Sequence, residues 1–482
     1  MRIDDETCFR ALAARDARFD GLFFVGVTTT RIYCRPICPA RTAGRDRCRF
    51  FADAALAERE GFRPCLRCRP ELAPGHAPVD SVRRTARVAA ARIEAGALND
   101  GGSLEKLARD LGLGERQLRR AVRQEYGVSP IELAQTRRLL LAKQLLTESD
   151  LPIVRVAFAS GFESVRRFNA LFRSHYRLTP TTMRRSSPKA HARDSLRLTL
   201  AYRPPLAWDA LLRFLSGRST AGVEQVEGGA YLRTAAVGPH RGWLKVEPDK
   251  GQNTLAVELA MSLTPVLPEV LARLKNLFDM GARPDVISDH LGADPRLAGL
   301  VGRNPGLRVP GAFDGFEMAV RAILGQRVSV QAATTLAGRL AARFGEPVEV
   351  PFPGLGRLSP TPERLAVAEE SDLTAMGIGA PRAVAIRSIA QAVAGRELEL
   401  QPGPDPEAVA SALQQFPGIG DWTAQYIAMR ALRWPDAFPA ADLGLLKAAG
   451  MASAHRLRDA AEGWRPWRAY AAMYLWSSLI VH

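Results

Sequence analysis

Two short stretches, YCRPIC at residues 33–38 and RPCLRC at residues 63–68, indicate how the amino-terminal part of this chain folds. The first holds two cysteines in a C-x3-C spacing, and the second holds two in a C-x2-C spacing. Thiolates paired at such short spacings, with a longer loop between the pairs, are typical of a tetrahedral zinc site. The sequence therefore predicts one Zn²⁺ ion in a small domain over residues 1–78. The expected ligands are Cys34, Cys38, Cys65 and Cys68.

The other cysteines and the amino terminus indicate the environment of such a site. All six cysteines lie before residue 70, and the first ten residues, MRIDDETCFR, lack the apolar segment of a secretion signal. No run of 18 or more apolar residues occurs, so no membrane span is expected. We therefore expect reduced thiols in a bacterial cytoplasm, with the protein associated with the nucleoid, rather than a disulfide framework. Cys8 and Cys48 are expected to be small buried residues.

The charge of the chain indicates a polyanion as partner. The 482 residues carry a net charge of +16, and residues 79–190 alone carry 21 basic and 11 acidic side chains. Such a local excess of arginine is the electrostatic footprint of a nucleic-acid-binding segment. The length and a hydrophobic fraction of 47% allow several separately folded domains.

Two segments within this basic region repeat one helical plan. SLEKLARDLGLGERQLRRAVRQEYG (103–127) places apolar residues at helical spacing on both sides of a Gly112 turn. LPIVRVAFASGFESVRRFNALFRSHYRLTP (151–180) does the same around Gly161. The pattern predicts two helix-turn-helix units, joined by a helix, whose second helices enter the major groove of DNA. The side chains expected to contact a groove or a phosphate are Arg119, Arg120, Arg166 and Arg167.

The residues around the cysteines add a chemical prediction. GLFFVGVTTTRIYCRPICPAR (21–41) and FRPCLRCRPE (62–71) closely resemble the zinc domain of the Ada family of methylation-damage sensors. ASGFESVRRFNALFRSHYRLTP (159–180) resembles the AraC-type DNA-binding module, which Ada-type regulators place directly after the zinc domain. The two resemblances together imply a transcriptional activator that acts on promoter DNA with RNA polymerase as a partner.

In the Ada family, the first of the four cysteines accepts a methyl group from a methylated DNA phosphotriester, and Cys34 holds that place here. Zinc keeps the thiol deprotonated, and the thiolate is the nucleophile. Methylation removes one negative charge from the zinc–thiolate group and thereby lowers its repulsion against DNA, so repair acts as a binding switch. The alternative is a purely structural zinc site, in a protein that repairs DNA constitutively.

The chain changes character after a polar segment at 188–195, which predicts a linker. Four stretches alternate in the manner of half-buried strands, and helical runs such as WDALLRFL (208–215) and LPEVLARLKNLF (267–278) lie between them. These elements predict a small α+β domain up to residue 308, followed by a helical, alanine-rich remainder. The four stretches are LRLTLAYRP (196–204), AYLRTAAV (230–237), GWLKVEP (242–248) and TLAVELAM (254–261).

LQQFPGIGDWTAQYIAMRA (413–431) predicts a helix-hairpin-helix, in which one helix ends at Phe416-Pro417 and the next begins near Trp422. Glycines allow the backbone to approach closely, and the N–H groups at the start of the second helix can hold a DNA phosphate. About twenty residues later, DAFPAADLGLLKAAG (436–450) places Asp442 at the start of another helix. The DNA contacts expected from the hairpin are Gly418, Gly420 and Thr423.

The PGIG hairpin, Asp442, FEMAVRAILGQRVSV (316–330) and GWRPWRAYAAMYLW (463–476) together resemble the AlkA-type 3-methyladenine DNA glycosylases over residues 196–482. The resemblance implies that Asp442 is the catalytic carboxylate, which stabilises an oxocarbenium-like sugar and orients water as the base leaves. It also implies that carbonyls near the hairpin hold a monovalent cation, and that electron-rich rings stack on a flipped cationic base. The residues concerned are Phe416 and Ile419 for the cation, and Trp422, Tyr426 and Trp476 for the base.

Two departures from that family matter for the chemistry. Trp422 stands where glycosylases that also cleave the backbone carry a lysine, and no lysine lies between Lys275 and Lys447, so we expect hydrolysis without a lyase step. Arg327 follows the GQ pair, where the family places an apolar wedge. We expect either that Arg327 fills the gap in the DNA by stacking or that a neighbouring residue is the wedge. No cysteine follows Cys68, so demethylation of O6-methylguanine is not expected.

The predicted protein is thus a multidomain α+β fusion that responds to DNA alkylation. It joins a methyl acceptor and transcriptional activator to a base excision repair glycosylase for bases such as 3-methyladenine. The alternative is a regulator whose glycosylase half only binds DNA. The predicted domains are the zinc domain at 1–78, an all-α double helix-turn-helix domain at 79–187, the small α+β domain at 195–308 and an all-α helix-hairpin-helix domain at 309–482.

Overall fold

A computed structural model describes residues 3–16, 19–73, 84–99, 101–185, 194–249, 251–403 and 405–479. Residues 188–193 of the predicted linker lie outside these ranges. The strands are β1 (Phe24–Val27), β2 (Ile32–Cys34), β3 (Cys48–Phe51), β4 (Arg63–Pro64), β5 (Ser195–Ala201), β6 (Glu224–Glu227), β7 (Ala230–Val237), β8 (His240–Pro248) and β9 (Thr254–Ala260).

Helices fill most of the rest of the described chain. The first group is α1 (Asp5–Ala14), α2 (Ala54–Arg59), α3 (Arg84–Glu94), α4 (Leu104–Asp110), α5 (Glu115–Tyr126), α6 (Pro130–Glu148), α7 (Ile153–Ala159), α8 (Val165–Tyr176), α9 (Pro180–Arg185), α10 (Trp208–Ser216) and α11 (Leu267–Leu277). The second group is α12 (Pro284–Leu291), α13 (Ala298–Arg303), α14 (Gly315–Leu324), α15 (Val330–Phe344), α16 (Pro362–Ala366), α17 (Glu370–Ala375), α18 (Ala380–Ala394), α19 (Pro406–Leu413), α20 (Asp421–Arg430), α21 (Leu443–Ala448), α22 (Ala454–Ala460) and α23 (Arg468–Ser477).

Contacts divide the chain into two compact units. The first comprises residues 1–204, 249–275 and 280–282, and the second comprises 205–248, 276–279 and 283–482. The predicted α+β domain at 195–308 contributes strands to both units. In the part of the chain that the structure describes, no helix is long and apolar enough to cross a membrane.

A four-stranded sheet in the order β3-β1-β2-β4 opens the first unit. β2 pairs antiparallel with β1 and parallel with β4, where Tyr33 lies opposite Pro64. Because β2 and β4 run the same way, the cysteines that follow them meet at one end of the sheet. Aromatic side chains fill the space below, and a Cβ atom on Gly26 would lie 2.6 Å from the Phe51 ring. The sheet therefore requires glycine at position 26.

Both predicted helix-turn-helix units are present in the first unit. α4 and α5 turn at Gly112, and α7 and α8 turn at Gly161, which have φ angles of +67° and +85°. The long helix α6 joins the two helix-turn-helix motifs. It begins with a reciprocal capping box between Ser129 and Glu132. The apolar faces are buried as the periodicity predicts, with Leu118, Val122 and Tyr126 in α5 and Phe168, Phe172 and Tyr176 in α8.

Antiparallel strands lie in both units. In the first unit β5 pairs with β9, with Leu198 opposite Val257, and in the second unit β7 pairs with both β6 and β8. Strand β6 was not predicted, because its short sequence EQVE shows no apolar alternation. The predicted multidomain α+β architecture is confirmed.

The second unit is otherwise helical, and α14, α15, α18 and α20 pack around an apolar core. The first helix of the predicted hairpin, α19, ends at Leu413, three residues before the predicted Phe416. The chain continues to Phe416 as tighter turns, in which the Phe416 N–H donates to the Leu413 carbonyl three residues earlier at 3.2 Å, so the α-helix itself ends early. α20 begins at Asp421, next to the predicted Trp422.

Candidate functional site

The four predicted cysteine ligands come together in the first unit. Their Sγ atoms all lie within 4.8 Å of one another. Tyr33 and Cys65 join the two cysteine pairs, because the Cys65 N–H donates to the Tyr33 carbonyl at 2.9 Å. Cys34 is the most exposed of the four residues, at 9%, and the other three are 5 to 7% exposed.

This cluster has the chemistry of a zinc centre. Four thiolates so close together repel one another, so all four can ionise only beside a cation. The crowding already disturbs the thiols: contact with Cys38 raises the pKa of Cys34, and contact with Cys34 lowers the pKa of Cys38 to about 7. Four sulfur donors without an oxygen or nitrogen competitor are the ligand set that Zn²⁺ prefers in closed tetrahedral sites. The residues therefore fit the predicted metal.

A buried arginine braces the cluster. The backbone N–H of Arg35 donates to the Cys68 sulfur at 3.3 Å, and its guanidinium donates to the Cys68 carbonyl at 3.2 Å. The same guanidinium forms a buried salt bridge with Asp20, whose Oδ1 accepts from Nε at 2.9 Å. Such outer contacts orient thiolate ligands and tune their charge.

The residues around the second cysteine pair also pack on α6. The Lys143 ammonium is fully buried, donates to the Cys65 carbonyl at 3.3 Å, and pairs with the buried carboxylate of Glu71. Arg69 bonds Glu148 at 2.6 Å and the Thr147 hydroxyl at 2.7 Å. These contacts tie residues beside the second cysteine pair to the helix between the two helix-turn-helix units. Sequence reasoning missed Lys143, because its contacts lie more than 70 residues away in the chain.

Residues beside the first cysteine pair reach α6 as well. The Tyr33 hydroxyl donates to Glu58 at 2.9 Å, and the other Glu58 oxygen accepts from Thr136 at 3.3 Å. The Leu56 side chain lies 2.3 Å from where a Cβ atom of Gly127 would be, and Gly127 has a φ of +74°. Only glycine fits that position, so the close approach is built into the fold.

The four predicted DNA-contacting arginines all lie on exposed faces of the second helices. Arg119 and Arg120 are on α5, and Arg166 and Arg167 are on α8. Arg119 forms an (i, i+4) ion pair with Glu115 at 2.6 Å. A DNA phosphate that binds Arg119 would have to displace Glu115. Exposed guanidinium groups on a second helix have the reach and charge to contact phosphates or base edges.

In the second unit, Asp442 lies at the start of α21 and receives three N–H groups. Its Oδ1 accepts from the Leu445 backbone and from Trp476 Nε1, each at 2.9 Å. Its Oδ2 accepts from Trp422 Nε1 at 2.9 Å. The fold thus brings Trp422, Trp476 and Asp442 together, as predicted for one site, and holds the carboxylate in a single orientation.

Tyr426 completes the aromatic group. Its ring stacks on Trp422 with centroids 5.4 Å apart and meets Trp476 edge-on at 6.2 Å. Its hydroxyl accepts from the buried Arg430 guanidinium at 2.8 Å. Burial raises the pKa of Tyr426, but the positive charges of Arg430, Arg218 and Arg321 outweigh this effect, so its pKa is lowered. Sequence reasoning missed Arg430, although its (i, i+4) spacing from Tyr426 places both on one face of α20.

The hairpin between α19 and α20 exposes glycine backbone. Gly418 has a φ of +76°, and at Gly420 no neighbouring atom lies within 4 Å of where a Cβ atom would be. The Thr423 side chain is buried, and its hydroxyl accepts from Gln326 at 2.9 Å, so only its backbone is left to serve the predicted DNA contact. The exposed Arg327 lies in the turn between α14 and α15 with a φ of 53°.

Comparison with known proteins defines the class of protein. Family models match four segments in order: the metal binding domain of Ada at residues 7–71, a helix-turn-helix domain at 107–186, the AlkA N-terminal domain at 197–314, and the HhH-GPD superfamily base excision DNA repair protein at 320–463. These matches describe a zinc-binding helix-turn-helix regulator fused to a DNA repair protein of the helix-hairpin-helix type.

One relative aligns with nearly the whole chain. The chain is 39% identical over 488 residues to the probable bifunctional transcriptional activator/DNA repair enzyme AlkA of Mycobacterium tuberculosis, and the alignment covers 99% of this chain and 97% of the relative. The chain belongs to this family of bifunctional transcriptional activator/DNA repair enzymes.

Two further similarities concern the second half of the chain. It is 40% identical over 280 residues to DNA-3-methyladenine glycosylase 2 of Escherichia coli, covering 58% of this chain and 96% of that protein. Among solved structures, the 3-methyladenine DNA glycosylase of Archaeoglobus fulgidus superposes with a TM-score of 0.52 at 24% identity, over 58% of this chain and 96% of that one. The structural similarity shows the fold.

Proposed function

We propose that this chain repairs alkylated DNA with two separate sites and regulates transcription in response to the damage. The glycosylase assignment depends on one observation. Two indole N–H groups and one backbone N–H donate to the Asp442 carboxylate, beside stacked aromatic rings. Cys34, in a cluster of four cysteines attached to a helix-turn-helix module, carries the sensor assignment.

The glycosylase step needs one ionised carboxylate and a pocket for a flipped base. Trp422, Trp476 and the Leu445 N–H donate to Asp442 and hold this carboxylate and its charge in one place. That charge stabilises the oxocarbenium-like sugar that forms as the N-glycosidic bond breaks, and the same carboxylate orients the attacking water. An alkylated purine leaves as a neutral base, because it was cationic while attached.

The reaction ends with hydrolysis. A lyase step requires an amine that attacks the sugar, and Trp422 occupies the hairpin position where a lysine would stand. We therefore propose that the product is an abasic site in an intact strand, which breaks only after treatment with alkali.

At the other site, Cys34 is proposed to take a methyl group from a DNA methylphosphotriester. A bound Zn²⁺ would supply the charge that keeps the four sulfurs ionised at neutral pH. A carbon–sulfur bond forms at Cys34, the methyl carbon–oxygen bond of the triester breaks, and a phosphodiester is left. The place of Cys34 as the first cysteine of the Ada-type motif supports it as the acceptor, and the Arg35 backbone N–H holds the sulfur of Cys68 in the same cluster.

Two further partners belong to this proposal. The hairpin carbonyls of Phe416 and Ile419 are candidates to hold a monovalent cation beside a DNA phosphate. RNA polymerase is the expected partner of the helix-turn-helix module at a promoter. Cation dependence of DNA binding would test the first, and transcription in vitro from a bound promoter would test the second.

The decisive experiment compares Asp442→Asn with wild type on alkylated duplex DNA. We expect wild type to release 3-methyladenine and the variant to lose release while still binding DNA. The matched control is Asp421→Asn, which changes an aspartate at the start of α20 that pairs with Arg458 at 3.4 Å. If wild type binds DNA and releases no base, the second unit is a DNA-binding module only, as the alternative function requires.

A further inference from the structure

Gln326 lies in the turn between α14 and α15 and reaches the hairpin 92 residues later in the chain. Its side-chain amide donates to the Gly418 carbonyl at 2.8 Å and to the Thr423 hydroxyl at 2.9 Å. Gly418 belongs to the hairpin turn, and Thr423 lies in the first turn of α20. One amide group therefore joins the α14–α15 turn to both parts of the hairpin.

The turn itself is held in one conformation. Arg327 adopts a left-handed φ of 53°, which non-glycine residues rarely adopt without support from their surroundings. Before it, the Leu324 carbonyl accepts from Arg382 at 3.2 Å. After it, Ser329 caps α15 by accepting from the Ala332 N–H at 3.2 Å. The Arg327 side chain is exposed, so its direction depends on this fixed backbone.

Both elements that Gln326 connects are anchored in the unit. α14 is held to β7 by a buried salt bridge between Glu317 and Arg233 at 2.7 Å. α20 carries Trp422, whose indole N–H reaches Asp442 at 2.9 Å. A displacement of the turn relative to the hairpin would therefore change the distance between Arg327 and the residues around Asp442.

We propose that Gln326 is a positioning residue for base excision. Gln326 fixes the α14–α15 turn, which carries Arg327, against the hairpin, which holds the DNA backbone. The turn and the hairpin then contact one DNA molecule in a fixed geometry. Because its amide is committed to the hairpin, Gln326 is not itself the residue that fills the gap, and Arg327 takes that place. The proposal rests on the glycosylase function proposed above.

The test is a double-mutant cycle measured by single-turnover release of 3-methyladenine from duplex DNA. We expect Gln326→Ala to slow release by about tenfold or more at saturating enzyme, since a small misplacement of a contact has effects of that order. Gln326→Glu, which has the same shape but cannot donate, should be equally slow. In an Arg327→Ala background, neither substitution should slow release further.

A second substrate separates positioning from a general structural defect. With the lesion in single-stranded DNA no gap has to be filled, so wild type and Gln326→Ala should release the base at equal rates. Equal slowing on both substrates, additive effects with Arg327→Ala, or full activity of Gln326→Glu would overturn the proposal. Absence of base release by wild type would instead refute the glycosylase function itself.

Discussion

The Lys143 ammonium lies 3.3 Å from the backbone carbonyl oxygen of Cys65, one of the four clustered cysteines. Lysine is almost never fully buried without a partner, and here the partner is the buried carboxylate of Glu71. Lys143 is on α6, which joins the two helix-turn-helix units. The candidate sensor and the DNA-binding module therefore share a buried charged contact, and the state of one should affect the stability of the other.

Replacing Lys143 with methionine is expected to destabilise the first unit by about 1–3 kcal/mol, because the buried Glu71 carboxylate loses one hydrogen-bonded cation and keeps only Arg69, at 3.2 Å. The measurement is chemical unfolding followed by far-UV circular dichroism. The control is Lys106→Met, at an exposed position on α4, which should change stability by less than about 0.5 kcal/mol. Equal stability of the two variants would show that the buried pair contributes nothing.

Removal of zinc is expected to loosen the helix-turn-helix module as well as the cysteine cluster. All seven tryptophans lie at or after residue 208, so tryptophan fluorescence reports only the second unit. We expect a chelator to destabilise the helices of the first unit, which would appear as faster hydrogen exchange in α6. The unfolding transition followed by tryptophan fluorescence should not change. Unaltered exchange in α6 after zinc loss would contradict the coupling.

Exposure of the protein to DNA that contains methylphosphotriesters is expected to add one methyl group to Cys34. Peptide mass spectrometry locates the adduct, and Cys34→Ser should abolish it. Cys48→Ser is a suitable control, because Cys48 is buried in a separate apolar cluster and its thiol points to the Ala43 carbonyl. A protein that binds zinc and gains no methyl group would have a purely structural zinc site.

Stability of the first unit should depend on pH through Glu58. Burial raises the pKa of Glu58 to about 7, although hydrogen bonds from Tyr33 and Thr136 lower it; Asp53 acts to raise it and Arg137 to lower it. The folded state therefore binds a proton more tightly than the unfolded state, and stability falls as pH rises from about 4.5 to 7.

Glu58→Gln removes this ionisation and should therefore stabilise the unit more at pH 8 than at pH 5. The expected difference is at most about 3 kcal/mol, by linkage over the shift. Thermal unfolding at the two pH values measures it. Glu60→Gln serves as the control, since Glu60 is exposed and pairs with Arg49 on the surface. A gain that is the same at both pH values would mean that Glu58 does not titrate in this range.

Several features were predictable because their signal is local in the chain. The cysteine spacing, the apolar faces of α5 and α8, and the hairpin at Gly418 each occupy a short stretch with its own periodicity or turn chemistry. The position of Asp442 at the start of a helix is equally local, since an aspartate can accept from the N–H three residues ahead. The end of α19 was misplaced by three residues, since helix ends depend on individual dihedral angles.

Local sequence patterns identify the residues that could ligate zinc, the helix faces that could enter a DNA groove, and the carboxylate that could act on a sugar. Only the packed fold shows that Lys143 bonds the Cys65 carbonyl, that Gln326 bonds the Gly418 carbonyl, and that Trp476, expected in the same site as Asp442, donates its indole N–H to that carboxylate. Helical and strand periodicities follow from backbone geometry and are visible in any short window. A contact between residues 34 to 92 positions apart depends on how whole helices pack, and no short pattern encodes it.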